Sequence, residues 1–410
     1  MPGIQPFRAL RYNTGFVGDL SRVIAPPYDV IGPEAQDRLY QASPYNVIRL
    51  ILGKLSPSDT AQENRYTRAK RDFIDWCGGR ILEQDEHPAL YLIEQAFDGA
   101  DGVRKTRLGF IALMELSEGA VYKHEATLAA PKQDRTKLLE AVPANLEPIF
   151  CVYPDDRAAV HRQLQDYAAR TAPAAQATLD GDGIRLWALT DRAAIEEVQR
   201  RLTPVTALIA DGHHRFEVAY ANRQRYAALM TYFVSMEEPS LVVRPIHRVL
   251  KGLGESSTEQ LRDMCQLELA QDAGSVLQWL KDGEGRSGSG RFGYYDGYAF
   301  YRAIVRQERL QAWLSASRVP AAMASLDVSL LHGLILPSLA NGAAAECLYA
   351  ADATQAVQTV DQGERRSAWL LRGIPLAQVY TLAGQGLSLP PKSTYFYPKV
   401  PSGLTIDPLT

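Results

Sequence analysis

One short stretch of this chain constrains its local fold more than any other, namely Asp-Gly-His-His-Arg at residues 211–215. It follows an apolar run at residues 205–210, which is typical of a buried strand, and it leads into residues 215–230, whose composition favours a helix. Gly212 allows the backbone to turn sharply because glycine has no side chain. The sequence therefore predicts a strand, a tight turn and a helix, an arrangement at which α/β proteins commonly bind ligands.

The residues of this turn suit an anion. The first turn of a helix presents backbone N–H groups at the positive end of the helix dipole. Arg215 adds a guanidinium whose planar donors match a phosphate group, and His213 and His214 add two imidazoles. These features predict a phosphate-binding turn. The alternative is an ordinary helix start, in which Asp211 caps the helix and both histidines face solvent.

Length and charge exclude several classes of function. With 410 residues, the chain is long enough for two domains, and its 46% hydrophobic and 22% charged residues are ordinary globular values. A net charge of −3 provides no basic field for nucleic acid, so we expect no nucleic-acid partner. We find neither a signal peptide nor an apolar run long enough to cross a bilayer. We therefore expect a cytoplasmic protein without a membrane partner.

Strands and helices alternate along the chain, which predicts an α/β (α+β) fold. Helices are expected at residues 33–41 and 60–83, and strands at residues 45–52, 89–97 and 107–116. A glycine- and serine-rich stretch at residues 252–258 marks a boundary. We expect a nucleotide-binding region at residues 1–250 and a smaller α+β region at residues 251–410, whose C-terminal segment returns to the cleft.

A second polar segment contains Lys123, His124, Glu125, Lys132 and Arg135. A carboxylate beside a histidine and several cations is typical of a site that removes a proton and holds phosphate. In that interpretation Glu125 is a general base. The same residues are compatible with a charged helix whose surface pairs lie four residues apart, and both interpretations stay open.

Near the C-terminus, Lys392, Ser393, Thr394 and Lys399 lie in a segment rich in proline and aromatic residues, at residues 389–399. Two cations and two hydroxyl groups suit phosphate, which predicts that this segment packs over the nucleotide cleft. The alternative is a strand that closes a sheet edge far from the site.

Metal binding is a further possibility. His124, His213, His214 and His247 would form a zinc site if they converged in the fold. However, adjacent helical residues diverge by about 100°, so His213 and His214 rarely share a metal. There is no HExxH motif, and the four cysteines are far apart in the sequence, which predicts reduced thiols and no zinc knuckle.

Several of these segments resemble known proteins. The Gly-x-His-Arg pattern at residues 212–215 resembles the phosphate-binding signature of the ParB/sulfiredoxin superfamily, and its DGHHR form is similar to that of archaeal free serine kinases in this superfamily. Along nearly the whole chain, short motifs resemble a bacterial and archaeal family of formerly unknown function. These motifs are residues 4–7, 25–30, 46–50, 124–127, 134–135, 148–150, 211–215, 247–248 and 392–394.

The resemblance implies a ParB/sulfiredoxin-like fold and an ATP-dependent kinase. Such an enzyme transfers the γ-phosphoryl group of ATP to the hydroxyl group of a small acceptor, with ATP and Mg²⁺ as cofactors. The first candidate for the acceptor is free L-serine, which would give O-phosphoserine. The expected catalytic residues are Glu125, Asp211 and His214, with Asp211 also a ligand of Mg²⁺. The expected nucleotide ligands are Gly212, His213, His214, Arg215, Lys132, Arg135, Lys392, Ser393 and Thr394. The expected acceptor ligands are Asp29, Lys123, His124 and His247.

The base and the class of function stay open at this point. Asp29 is the second candidate for the base after Glu125. A ParB-like regulator or scaffold would bind a nucleotide through the same turn without converting a small molecule. A metal-dependent hydrolase would need bound zinc. Each of these classes is compatible with a homo-oligomer.

Overall fold

The computed structural model describes residues 3–99, 102–251, 257–283, 290–339, 346–363 and 366–409. The chain divides into two compact units. The first comprises residues 1–123, 127–242 and 398–410, and the second comprises residues 124–126 and 243–397. Most of the glycine- and serine-rich stretch predicted to mark the boundary, residues 252–256, lies outside the described residues. The protein is a mixed α/β protein, which confirms the predicted fold class.

The described elements are short and alternate in type. The strands are β1 Ile4–Gln5, β2 Leu10–Tyr12, β3 Leu82–Gln84, β4 Leu90–Asp98, β5 Arg104–Glu115, β6 Val121–Tyr122, β7 Ala144–Asn145, β8 Ile149–Tyr153, β9 Ala175–Leu179, β10 Asp182–Leu189, β11 Ala207–Asp211, β12 Ala228–Ser235, β13 Val242–Arg244, β14 His247–Lys251, β15 Cys265–Ala270, β16 Arg291–Tyr295, β17 Phe300–Val305, β18 Glu346–Ala350, β19 Arg366–Leu370, β20 Tyr395–Tyr397 and β21 Asp407–Pro408. The helices are α1 Thr14–Val17, α2 Pro33–Ala42, α3 Ile48–Ile51, α4 Arg65–Gly78, α5 Ala129–Ala141, α6 Ala159–Arg170, α7 Arg192–Leu202, α8 His213–Ala221, α9 Ser257–Met264, α10 Ala273–Asp282, α11 Gln307–Ala316, α12 Ala321–Ala324, α13 Asp327–Leu330, α14 Leu336–Leu339, α15 Ala353–Asp361 and α16 Leu376–Gly384. Among these described helices, none is long and apolar enough to cross a membrane.

A nine-stranded mixed sheet organises the first unit. Its strand order is β6-β11-β8-β12-β5-β4-β10-β9, and β1 pairs with β5 at the side. One face of this sheet packs against the apolar sides of α6 and α7, through residues such as Phe110, Cys151, Leu164, Val198 and Ile209. Each fully buried side chain of this size stabilises the fold by roughly 1.5–3 kcal/mol. The sheet therefore holds β8, β11 and β12 rigidly side by side.

The second unit is built on a six-stranded antiparallel sheet with the order β15-β17-β16-β19-β14-β18. Its core packs residues of α10 and α15, among them Val276 and Val360, against strand residues such as Val249 and Leu370. This unit also contains β20, in the segment that leads to the C-terminus.

Local sequence signals account for some helix boundaries and fail at others. The helix predicted at residues 33–41 is confirmed by α2, whereas the one predicted at residues 60–83 is shorter, because Asn64 caps α4 through its side chain. The strand predicted at residues 45–52 is wrong. Its β-branched residues favour extended backbone, but residues 48–51 form helix α3, and the Asn46 side-chain oxygen accepts from the Ile48 N–H at its start, at 2.9 Å.

The last short strand of the chain completes the first unit. β21 pairs antiparallel with β7, and Asn145 Nδ2 donates to the Asp407 carboxylate at 2.7 Å. Burial raises the pKa of Asp407 to about 6, although the hydrogen bond from Asn145 lowers it. The folded state therefore binds this proton more strongly than the unfolded chain does.

This raised pKa predicts a pH dependence that Asp407→Asn removes. A carboxyl group whose pKa is raised on folding stabilises the fold least when it is ionised. The contribution of Asp407 to the free energy of unfolding therefore falls as the pH rises from about 4 to about 6. As the pH rises from 4 to 7, we expect the free energy of unfolding of Asp407→Asn to increase by about 1–3 kcal/mol relative to that of wild type. Denaturant unfolding at each pH measures this. Asp166→Asn on the surface is the control, and parallel pH profiles for wild type and Asp407→Asn would contradict the prediction.

Candidate functional site

The strand, turn and helix predicted around residue 212 are present. β11 ends at Asp211, Gly212 takes a φ of +94°, and α8 begins at His213. No side chain caps this helix start. The predicted helix at residues 215–230 is too long, because α8 ends at Ala221 and residues 228–235 form strand β12.

A β-bulge sets the direction of Asp211. In a regular strand, Ile209 and Asp211 would point to the same face of the sheet. The register shifts between them, so Ile209 is paired with Cys151 and Asp211 with the preceding residue, Phe150. Because neighbouring strand residues face opposite ways, Asp211 lies on the face of Phe150, away from the core that contains Ile209 and Cys151.

Gly212 is required at the turn for two independent reasons. Its φ of +94° lies in the left-handed region, where any residue with a Cβ atom is strained. In addition, a Cβ atom here would lie 2.8 Å from Ile149 Cγ2 and 3.1 Å from Arg215 Nε. The backbone therefore passes directly over the Arg215 guanidinium, a closeness that only glycine permits.

Replacing Gly212 by alanine is expected to destabilise the first unit by about 2–4 kcal/mol. Backbone strain at positive φ contributes about 1–2 kcal/mol, and the contact with Ile149 contributes the rest. Gly119→Ala is the matched control, since Gly119 has a φ of +69° but nothing within 4 Å of the added methyl group. Chemical denaturation of both variants measures the difference, and equal losses of stability would show that contact with Ile149 plays no part.

Asp211 is held between two cations. Its Oδ2 accepts from Arg215 Nη2 at 2.7 Å and its Oδ1 accepts from Lys399 Nζ, and all three side chains are at most 12% exposed. Burial alone raises the pKa of Asp211, but Lys399 and Arg215 outweigh this and lower it to about 2. The carboxylate is therefore ionised at neutral pH. Because both of its oxygens accept from cations, Asp211 as arranged here does not fit the Mg²⁺ ligand that the sequence predicted.

Arg215 connects this carboxylate to the neighbouring strand. Its Nη1 donates to the Pro148 carbonyl oxygen at 2.5 Å, just before β8. Its Nε is buried and, among the described residues, has no hydrogen-bond partner. Burial lowers the pKa of Arg215, but Glu147, Asp211 and Asp29 outweigh it and raise the pKa. Arg215 is thus a charged side chain whose Nε–H has no acceptor among the described residues.

Glu147 and Arg135 form a buried network next to Arg215. Glu147 Oε1 accepts from the Tyr28 N–H at 3.1 Å and from Ser402 Oγ at 3.0 Å, and Glu147 Oε2 lies 3.4 Å from Arg135 Nη1. Arg135 lies over the Tyr28 ring at 3.9 Å, and its other nitrogens pair with Asp134. All three nitrogens of Arg135 have protein partners, so Arg135 orients the network, and its predicted role as a nucleotide ligand stays a prediction.

A small cavity opens beside this network in the first unit. It has a volume of about 70 Å³, and its polar lining is provided by Arg135, Asn145, Glu147 and Arg215. The remaining lining residues are mainly apolar, among them Leu138, Val218 and Leu229. The volume admits a few water molecules but no nucleoside.

Other residues predicted around the turn have structural contacts. His214 Nε2 accepts from the Leu128 N–H at 2.9 Å, which satisfies the backbone at the start of α5. Lys123 Nζ forms a 2.8 Å ion pair with Glu217 on α8. His213 is buried at the start of α8, and Lys132 is half-buried on α5. Asp29 is exposed and contributes to the charge around Arg215.

Glu125 and the C-terminal motif lie together in the second unit. Glu125 forms an isolated parallel bridge with Leu389, and its Oε1 accepts from the Lys392 N–H at 3.2 Å. His124 Nε2 hydrogen-bonds with Thr394 Oγ1 at 2.9 Å. Ser393 Oγ donates to the Pro390 carbonyl oxygen at 2.5 Å. Five residues that the sequence assigned to catalysis or to ligands thus form one cluster, in which Ser393, Thr394 and His124 are buried.

His247 is also in the second unit, on β14. Its Nδ1 accepts from the Leu371 N–H at 3.1 Å, and the side chain is buried. Burial lowers the pKa of His247 to about 4, so it is neutral at physiological pH. These contacts account for its burial without a ligand, and its predicted role in acceptor binding stays a prediction.

The described residues do not provide the donor set of a zinc site. Within the described ranges, no group of three or more histidine, cysteine, aspartate or glutamate side chains is arranged to hold a metal. The four cysteines are free thiols, as predicted.

Sequence reasoning missed two residues that complete the site. Tyr28 lies within the motif at residues 25–30, so this motif was a usable signal. Gln95 had none, and it is a buried amide that donates to the Lys399 carbonyl oxygen at 2.9 Å.

One family model and several solved structures are similar to this chain. The model of one family, described as a protein of unknown function (DUF1015), matches residues 4–329. No curated protein matches the sequence.

Three solved structures are similar at low identity. A free serine kinase in complex with AMP is 14% identical over 70% of this chain and 86% of its own, with a TM-score of 0.36. A conserved hypothetical protein from Pyrococcus furiosus is 15% identical over 72% of this chain and 95% of its own, with a TM-score of 0.37. SbnI with a C-terminal truncation, from Staphylococcus aureus, is 9% identical over 72% of this chain and 87% of its own, with a TM-score of 0.38.

Proposed function

Because this chain belongs to the family described as protein of unknown function (DUF1015), we propose its activity from its own residues: it is an ATP-dependent phosphotransferase. It transfers the γ-phosphoryl group of ATP to the hydroxyl group of a small acceptor, for which free L-serine is the first candidate. The observation that carries the proposal is the buried Nε of Arg215, which has no acceptor among the described residues and lies against the helix-opening glycine.

A buried donor without an acceptor is costly, by about 1–3 kcal/mol, unless a ligand supplies the acceptor. At this position the ligand is an anion, because the first turn of α8 adds its N–H groups and the positive end of the helix dipole. Lys399 adds a second cation through its contact with Asp211. Phosphate oxygens satisfy all of these donors at once.

The chemistry of the transfer requires little more than position and charge. The acceptor oxygen forms a bond to the γ-phosphorus, and the bond from that phosphorus to the β–γ bridging oxygen breaks, which releases ADP. The acceptor's hydroxyl proton goes to a carboxylate. Glu125 and Asp29 are the two candidates for this base, and both carry at least partly exposed side chains. Arg215, Lys399 and the helix start stabilise the negative charge of the phosphates.

The experiment is a binding measurement followed by product analysis on the full chain. We expect ADP to bind in calorimetry, and ATP with L-serine to give ADP and a phosphomonoester visible by ³¹P NMR. Lys399→Met is expected to weaken ADP binding about tenfold, whereas Lys54→Met, which removes a surface ion pair with Asp37, leaves it unchanged.

Each other result has a definite meaning. If ADP does not bind, the phosphate-binding turn is wrong. If ADP binds but none of the free amino acids and related small alcohols is phosphorylated, the transferase is overturned in favour of a nucleotide-binding regulator.

A further inference from the structure

A buried polar pair lies on the face of the first sheet that carries Asp211. Gln95 on β4 and Arg107 on β5 are direct cross-strand neighbours, and they are 1% and 0% exposed. Burying an arginine and an amide costs free energy that an apolar pair would avoid. Packing alone therefore does not explain why this buried pair is polar.

Gln95 has only one arrangement of its amide group that satisfies both of its neighbours. Its Oε1 accepts from Arg107 Nη2, and its Nε2 donates to the main-chain oxygen of Lys399 at 2.9 Å. Because a guanidinium only donates and a carbonyl oxygen only accepts, the amide cannot be reversed. Arg107 thus fixes the orientation in which Gln95 holds the backbone at Lys399.

Arg107 packs against aromatic residues on β8, the strand beside Asp211, and on β12. Its guanidinium lies over the rings of Phe150, at 4.9 Å, and Tyr232, at 5.5 Å. Phe150 is the strand partner of Asp211 across the β-bulge. Arg107 therefore contacts Phe150, the strand partner of Asp211, directly. Through Gln95 it also holds the main chain of Lys399, whose ammonium group pairs with Asp211.

We propose that Gln95 and Arg107 are positioning residues for the phosphate-binding turn. The pair holds the main chain at Lys399 so that its ammonium group stays against Asp211, beside Arg215. Without this anchor the Lys399 side chain has to be ordered on binding, which weakens the affinity for an anion. The inference rests on the proposed function only where it assigns Lys399 to phosphate binding.

Gln95→Glu is the sharpest single test. The carboxylate keeps a partner for Arg107 but replaces the amide donor with an acceptor facing the Lys399 carbonyl oxygen. We expect the backbone amides of Lys399, Val400 and Ser402 to exchange hydrogen at least about tenfold faster, and the Kd for ADP to rise about tenfold. Gln199→Glu is the matched control, because Gln199 Nε2 also donates to a main-chain oxygen, that of Ile4, at 2.7 Å.

A double variant, Gln95→Met with Arg107→Met, covers the case in which Gln95→Glu fails to fold. It replaces both polar partners by apolar side chains, a change that is often close to neutral for folding. It is expected to give the same faster exchange at Lys399, Val400 and Ser402. Wild-type exchange in a folded variant would overturn the proposal, as would faster exchange with an unchanged Kd for ADP.

The two hypotheses fail separately. If wild-type protein does not bind ADP, the proposed function fails, and the exchange measurement alone still decides whether Gln95 and Arg107 position Lys399. If wild-type protein binds ADP and Gln95→Glu behaves like Gln199→Glu in both measurements, only the positioning role fails.

Discussion

Replacing Arg215 by alanine is expected to lower the free energy of unfolding by about 3 kcal/mol and to abolish measurable nucleotide binding. The Arg215 side chain is 10% exposed, pairs with Asp211 and donates to the Pro148 carbonyl oxygen. Removing one partner of a buried ion pair costs about 3–5 kcal/mol, because the other charge is left uncompensated. We expect the low end of this range, since Lys399 still pairs with Asp211.

Urea unfolding and ADP calorimetry, done where the variant is fully folded, measure the two effects. Arg200→Ala is the control, because Arg200 is exposed and pairs with Glu197 within one helix, so its loss should be close to neutral. Arg215→Lys keeps the charge but loses the fork that reaches two acceptors, so it should fall between alanine and wild type. A stable, nucleotide-binding Arg215→Ala protein would refute the role given to the turn.

Replacing the catalytic base is expected to lower turnover about 10²-fold or more while leaving ADP affinity unchanged. We expect this of Glu125→Gln. The glutamine keeps an oxygen that can accept from the Lys392 N–H, so the local backbone should be preserved. The measurement is the rate of phosphomonoester formation with ATP and the acceptor, beside calorimetry with ADP.

Asp29→Asn is the competing variant, and Glu118→Gln on the surface is the control. Asp29 is exposed and adds to the negative charge around Arg215, so it too is accessible to a substrate. If Glu125→Gln turns over like wild type and Asp29→Asn does not, the base is Asp29. If neither variant loses turnover, the transfer does not use a carboxylate base from these two positions.

Local features of the phosphate-binding turn could be predicted from the sequence, because they depend on neighbours in the chain. The apolar run, the glycine and the helix start are local signals, and β11, the positive φ of Gly212 and α8 agree with them. The end of α8 was not predicted, since residues 222–227 contain no proline or glycine that would stop a helix, and residues 228–235 form strand β12 instead. There, pairing with β5 and β8 outweighs helix propensity.

The sequence predicted that residues 389–399 pack over the cleft, but it could not predict the individual partners of the charged residues. Asp211 was expected to cap a helix or hold a metal, yet its oxygens pair with Arg215 and with Lys399, which is far away in the sequence. The β-bulge that directs Asp211 toward them depends on the register of β11 against β8, and a single residue in that register reverses the face. Residue types alone do not encode that register.

The return of residues 398–410 to the first unit has a consequence for synthesis on the ribosome. The chain emerges from its N-terminus, so everything between residues 243 and 397 is made before Lys399 exists. Until then Asp211 has Arg215 but lacks its second cation, and Gln95 lacks the carbonyl oxygen that it binds. The nascent first unit therefore contains unpaired polar groups throughout translation of the second, which makes a chain cut short before residue 399 a natural target for chaperones and proteases.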